Sequence, residues 1–406
     1  MKKLPLDGVR IVDFTWVGAG PYTTKILADA GAEVIKIESG KRPDILRLTP
    51  PFKDGIEGLN RSGYFANRNT SKKSFQLDMS QERSRILIKE LVKTADIVSN
   101  SFTAGTMEKW GLGYENLKEV KNDIIFISMP MQGTTGPHKE FSGFGAMMNA
   151  LIGLNHLTGM PDREPIGTGT NYPDHVPNPT HGAFAILSAL RYRNMTGKGQ
   201  YLELAQTESA LGVLAVAIME AANNATSPKR RGNYVDYAAP NGAYRCKGDD
   251  EWCVISCKTE EQWDAFLRVT GLNELSHNPK FASLEERKRN GSQLDAIIST
   301  WTKRYTPKEV MQVLQSEGVP SGMIQSAKSL IDEDVHLKYR NHFVELEHPE
   351  MGKTLYNNLP FRLSKTPVVI QSPAPLLGAD TEFVCKKLLN MSDESYEALI
   401  EKGIFQ

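Results

Sequence analysis

Apolar side chains along the N-terminal third of the chain arrive in two rhythms that take turns. Val9 to Thr15 is a β-branched and aromatic run of strand composition, Gly18-Ala19-Gly20-Pro21 follows as a turn, and Tyr22 to Ala30 spaces its apolar positions for a helix that stops at Gly31. Glu33 to Glu38 then returns to the strand pattern. Strand, helix and strand in so short a span predict a parallel sheet, because only a crossover connection brings the chain back to the same end. The pattern repeats, with Ser74 to Met79 as strand, Gln81 to Ala95 as an amphipathic helix, and Asp96 to Asn100 and Asp123 to Pro130 as further strands. The fold class this predicts is α/β, with a Rossmann-like, doubly wound large domain.

The segment from Arg42 to Lys72, rich in Pro, Arg, Gly and Asn, keeps neither rhythm. Loops longer than about 12–15 residues in a compact domain are usually functional or disordered, and this one is expected to cover a ligand. Further on, Thr180 to Asn194 predicts a helix closed by Thr196-Gly197-Lys198-Gly199, Tyr201 to Leu204 a strand, and Thr207 to Asn223 a second long apolar helix. From Asn224 to Asn233 the composition turns polar and basic, as at a domain boundary. A strand pair follows, Gly242 to Cys246 and Glu251 to Cys257, and then helices to about Arg304. Thr306 to Glu317 reads as another amphipathic helix, and Val319 to Ile324 as a short extended segment. The C-terminal stretch from Gly352, with a final helix from Asp380, has no core of its own and is expected to return to the first domain. The expected division is a large domain of residues 1–223 and 305–406 and a smaller α+β domain of residues 224–304.

Composition narrows the function. At 406 residues with 40% apolar side chains, the chain can bury one large or two moderate cores. Forty-eight basic residues balance 48 acidic ones, which excludes a global field that would draw nucleic acid or anionic lipid. No apolar run approaches the ~18–20 residues that span a bilayer. Met1-Lys2-Lys3-Leu4-Pro5 leads straight into the first strand without a signal-peptide pattern, so a cytoplasmic location is expected. Four cysteines are too few for a disulfide framework. Cys253 and Cys257 share one strand face by the period-two rule, but no second ligand pair stands nearby, so packing is expected and no metal.

Two places could carry chemistry. Gly18-Ala19-Gly20 after the first strand, with Glu38 at the end of the second, invites a dinucleotide reading. The fingerprint lacks its third glycine, since Thr23 stands there, and a glycine-lined turn opening a helix explains the same residues. The other place is Asp174, in Gly169-Thr-Asn-Tyr-Pro-Asp174-His-Val-Pro177. It lies six residues ahead of the helix expected from Thr180, too far for an N-cap. Pro-flanked turns often hold an aspartate, and a carboxylate can also act as a covalent nucleophile.

A resemblance changes this balance. Leu6-Asp-Gly8, Ala19-Gly-Pro21, Leu27-Ala-Asp-Ala-Gly-Ala-Glu33, Ser71-Lys-Lys-Ser74, Gly111-Leu-Gly-Tyr114, Gly133-Thr-Thr-Gly-Pro137, Tyr172-Pro-Asp174 and Thr196-Gly-Lys-Gly-Gln200 together resemble the class III CoA-transferase family from end to end. The resemblance implies a CoA thioester as substrate, no permanently bound cofactor, and Asp174 as the nucleophile of an anhydride-and-thioester exchange. Carried over residue by residue, it implies Lys72 and Lys109 at the nucleotide phosphates, with Arg47 assisting, and Phe102 beside the adenine. Gly18 and Ala19, near a helix N-terminus, and Ala239-Pro240-Asn241 in the smaller domain are the expected sources of backbone donors. Gly18 stands where the family often has a glutamine, and Ser142 where some members have a lysine.

The same family fold also serves α-methylacyl-CoA racemases, which need a second acid/base in a Gly-His-Asp stretch. Here Gly143-Phe144-Gly145 stands instead, and Phe144 carries no proton. The resemblance further implies an interlocked homodimer, or a hetero-oligomer with a related subunit, with the helix from Thr207 to Asn223 and the linker after it as the threading region. His175 is either a helper or a turn residue, and His181 is expected on the helix surface. The stretch from Gly143 to Asp174 resembles succinyl-CoA-dependent transferases acting on benzylsuccinate or similar acids.

Overall fold

The computed structural model describes residues 3–406; Met1 and Lys2 lie outside them. Six strands, β1 (Arg10–Phe14), β2 (Glu33–Glu38), β3 (Lys72–Gln76), β4 (Ile97–Asn100), β5 (Ile125–Ser128) and β6 (Tyr201–Glu203), form one parallel sheet in the order β3-β2-β1-β4-β5-β6. The period-two alternation read from the sequence sorts side chains onto two faces. Ile11 joins Val34, Ile97, Ile125 and Ile127 beneath helices α1 (Ala19–Asp29) and Pro177–Thr196. Its neighbour Val12 faces the other way, with Ile35, Phe75, Val98 and Phe126, against Leu87, Ile88 and Leu91 of Glu82–Val92. The last helical segments return to this second face, where Val384, Cys385 and Leu399 are buried.

Three expectations change. Helix α1 begins earlier than its apolar spacing suggests, with Pro21 in its first turn, where a missing N–H costs nothing. The stretch after β2, expected to keep neither rhythm, contains capped helical turns. Asp44 caps a short 3-10 turn (Ile45–Leu48) by accepting the Leu46 N–H, and Ser62 caps helix α2 (Gly63–Arg68) by accepting the Phe65 N–H. The long helix expected over Thr207 to Asn223 runs as Gln206–Leu211 and Ala215–Asn224 with a tighter turn at Gly212–Leu214 between them.

The chain divides into two compact units, residues 1–155, 167–227 and 337–406, and residues 156–166 and 228–336. The second unit holds an antiparallel sheet of β7 (Asn241–Arg245), β8 (Trp252–Ser256) and β9 (Ser321–Met323). Its core includes Tyr244, Cys253, Cys257, Trp263, Phe266 and Trp301. Residues 305–336, expected in the large domain, lie in this unit because β9 pairs with β8 and Pro307–Ser316 buries Val310 and Leu314 in the same core. In the first unit a hairpin, β10 (Phe343–His348) with β11 (Gly352–Asn357), forms a separate two-stranded sheet. No described helix is long and apolar enough to cross a membrane.

Candidate active site

In a parallel sheet of this order the crossovers leave β1 and β4 in opposite directions, and the gap between the loops after them is where ligands of such folds sit. A cavity of about 410 Å³ opens there, lined by Trp16 to Gly20 after β1, Ser101 to Thr103 after β4 and Met131 after β5. Asp174 forms part of its wall.

The loop after β1 is held by hydrogen bonds from three sides. Lys36 Nζ donates to the Thr15 carbonyl at 2.6 Å, the Trp16 N–H donates to Ser101 Oγ at 3.0 Å, and the Val17 N–H donates to Asp44 Oδ1 at 3.1 Å. Val17 sits at φ 68°, a left-handed conformation unusual for a β-branched residue and sustained only when neighbours over-determine it. The buried Lys36–Asp44 pair, 2.9 Å apart, supplies that constraint.

Asp174 lies in a helical turn, Tyr172–His175, and not in an irregular loop ahead of the next helix, which starts at Pro177. It is only 4% exposed. Two glycines press on its carboxyl group. A Cβ on Gly18 would stand 2.7 Å from Asp174 Cγ, and one on Gly145 2.5 Å from Asp174 Oδ2. A side chain at Gly18 would displace the carboxylate from this position. The bare backbone brings the Gly145 N–H to the carboxylate as a donor. Burial pushes the Asp174 pKa up to about 6, with the Arg68 charge and the Gly145 N–H opposing it. Neighbouring His175 goes the other way, down to about 4, through burial and the Arg68 charge.

Of the residues expected from the sequence, Gly18, Ala19, Phe102, Ser142 and Phe144 line this cavity with Asp174. Phe102 is braced edge-on by Trp16 and Trp110, each 5.5 Å away between centroids. Others do not join them. Lys72 is wholly buried, its ammonium donating to Asp13 Oδ2, the Pro21 carbonyl and Asn69 Oδ1, and burial lowers its pKa to about 8. Arg47 is wholly buried in a two-pronged bond to Glu38 at 2.8 Å. Neither cation is available to a phosphate, and Glu38, consumed by Arg47, is equally unavailable to a ribose hydroxyl. Lys109 is exposed and outside the cavity lining. Ala239, Pro240 and Asn241 belong to the second unit, where they line a separate cavity of about 200 Å³. His181, exposed, has Nδ1 2.7 Å from Ser209 Oγ.

Sequence reasoning missed Gly145, Trp16, Lys139 and Arg68. The first three line the cavity or touch Asp174, and Gly145 was legible as the second glycine of Gly143-Phe144-Gly145. All four cysteines are buried and free. Among the described residues no cluster of His, Cys, Asp and Glu could hold a metal ion.

A family model described as CoA-transferase family III matches residues 6–381. The chain belongs to this family. As a family III CoA-transferase it is an enzyme that uses CoA thioesters as substrates. It is 31% identical over 98% of its length, and 98% of the relative's, to a succinyl-CoA–D-citramalate CoA-transferase of Chloroflexus aurantiacus. To the beta subunit of a succinyl-CoA–L-malate CoA-transferase from the same organism it is 30% identical over 99% of its length and 98% of the relative's. The crystal structure of a CAIB/BAIF family protein from Brucella suis superposes with a TM-score of 0.87 at 31% identity, covering 95% of this chain and all of that one.

Proposed function

We propose that this CoA-transferase moves CoA from succinyl-CoA to an acceptor carboxylic acid, with Asp174 as the covalent carrier. The observation that carries the reading is the Asp174 carboxylate itself, buried in a cavity wall, pressed by Gly18 and Gly145 and met by a backbone donor. Two relatives named for succinyl-CoA support the donor. The ionised carboxylate attacks the thioester carbonyl, the C–S bond breaks, and a mixed anhydride and CoA thiolate result. The thiolate then attacks the aspartyl carbonyl, releasing succinate and leaving an aspartyl-CoA thioester. The acceptor carboxylate opens that thioester to a second anhydride, and the returning thiolate takes the acceptor acyl group and frees Asp174. Every step trades one anion for another, so no proton or ATP is needed. The Gly145 N–H, already aimed at the carboxylate, suits stabilising the oxyanion of each tetrahedral intermediate.

Phe102, braced by two tryptophans, offers a ring face for the adenine, and Lys139, also in the cavity lining, replaces Lys72 and Arg47 as the cation for a phosphate. Phe144 at the same cavity supplies no second base, which disfavours α-proton exchange. We further propose no permanent cofactor, a cytoplasmic location, and assembly as an interlocked dimer or with a related subunit, as the beta subunit among the relatives suggests. The test is exchange of isotopically labelled succinate into succinyl-CoA by wild type and Asp174→Asn. Loss of exchange by at least about 10³-fold is expected, as for removal of a covalent nucleophile; an undiminished rate would refute the reading.

A further inference from the structure

Four buried cations of this unit each hold a carboxylate: Lys25 with Asp29, Lys36 with Asp44, Arg47 with Glu38 and Lys72 with Asp13. Arg68, at the end of α2, forms no ion pair with any described residue. Its Nη2 lies 2.7 Å from His175 Nδ1, its Nη1 lies 3.3 Å from Asn67 Oδ1, and its Nε is buried without a hydrogen-bond partner. The guanidinium stacks 4.2 Å over the ring of Tyr22, in the first turn of α1, and 5.7 Å from that of Tyr64. Arginine is always protonated, so His175 Nδ1 must accept, and the imidazole is neutral with its proton on Nε2. A guanidinium partly withdrawn from water and bonded directly to no carboxylate is costly. The Arg68 charge also acts on Asp174, opposing the upward push of burial on its carboxyl.

We propose that Arg68 is the docking cation for the acceptor carboxylate, serving as counter-charge to Asp174 in the free enzyme and to the leaving or arriving carboxylate once Asp174 is esterified. The inference rests on the covalent role of Asp174. In the resting site the pair is neutral overall. Conversion of Asp174 to a thioester removes its negative charge while the Arg68 charge stays, so the intermediate has an uncompensated cation bonded to His175, the residue next to the one whose carbonyl a carboxylate must attack. The planar fork suits a carboxylate, and the residue is not fully buried. No neighbour competes for the anion. Lys25 on α1 is bound to Asp29 and Asp44 to Lys36, burial pushes the Tyr64 phenol up, and burial with the Arg68 charge holds His175 down.

The experiment compares two nucleophiles on the same intermediate in the full-length enzyme loaded with succinyl-CoA. One is isotopically labelled succinate, an anion. The other is hydroxylamine, neutral at pH 7.5, which turns the Asp174 thioester into a hydroxamate and releases CoA. In Arg68→Met, the rate constant with which labelled succinate consumes the preformed Asp174 thioester is expected to fall roughly 10- to 100-fold, the size of one lost charged hydrogen-bond contact, while the rate constant with which hydroxylamine consumes the same thioester changes little. Equal losses for both nucleophiles, or an unchanged succinate rate, would overturn the proposal. Should Arg68→Met not fold, Arg68→Lys, which keeps the charge but loses the fork, is expected to show the same split at smaller size, and equal losses there overturn it too. Absence of an Asp174 hydroxamate in wild type would instead bring down the covalent reading beneath it.

Discussion

Replacing Asp174 by Asn should destroy the activity and stabilise the protein. Burial raises the folded-state pKa of Asp174 from 3.8 to about 6, against the pull of Arg68 and the Gly145 N–H. A raised carboxyl pKa means that the folded protein binds a proton more tightly than the unfolded chain does. The corresponding stability is fully present below the unfolded value and is lost as pH rises through the folded one. At pH 8 ionised Asp174 therefore costs the native state about 3 kcal/mol, the free-energy equivalent of the two-unit shift. At pH 5 the same relation leaves a cost of about 1.5 kcal/mol, because the folded carboxyl is then mostly protonated. Asparagine is neutral, close to isosteric, and immune to this titration. Urea denaturation of the two proteins between pH 5 and pH 8 should show Asp174→Asn the more stable, with a gap that widens as pH rises. A pH-independent gap, or a less stable variant, would refute the argument that desolvation governs this carboxylate.

The same titration predicts that kcat/KM for succinyl-CoA falls with unit slope below about pH 6, and that His175, neutral down to about 4, adds no second limb above that; a flat profile to pH 5 would contradict it. Gly18→Ala places a Cβ 2.7 Å from the Asp174 carboxyl carbon and should lower kcat by at least about 10²-fold with little change in far-ultraviolet circular dichroism. Lys72→Met breaks a buried ion pair and should destabilise by about 3–5 kcal/mol in urea while leaving KM for acyl-CoA within error, the opposite of what a phosphate ligand would show. Phe102→Ala, which removes a ring face at the cavity, should raise KM for acyl-CoA with a smaller effect on kcat.

The middle of the sheet was legible because β1, β2, β4 and β5 are buried on both faces, so each carries Val or Ile between helical spacings: Glu33–Glu38 was located to the residue. The proposed nucleophile, Asp174, stood out through Tyr172-Pro173-Asp174 and the chain-long resemblance. What surrounds it was not, for reasons particular to each residue. Lys72 and Arg47 look like surface cations in sequence, yet both are buried against carboxylates, Lys72 against Asp13 through the pairing of β1, β2 and β3, and Arg47 against Glu38 through the turn at Ile45–Leu48. The placement of residues 305–336 rests on three residues of β9 meeting β8, a contact that local periodicity does not record. Arg68 hid in a segment read as irregular, and its significance comes from what it lacks, a carboxylate partner, which only coordinates reveal.

The account stands or falls on Asp174 becoming acylated. The direct measurement is peptide mapping by mass spectrometry after wild-type enzyme is mixed with succinyl-CoA and hydroxylamine in the absence of acceptor. A hydroxamate on the peptide containing Asp174, formed with stoichiometric release of CoA and absent from Asp174→Asn, is the predicted result. An unmodified Asp174 peptide alongside continuing succinate exchange, or the same label on another residue, would contradict it.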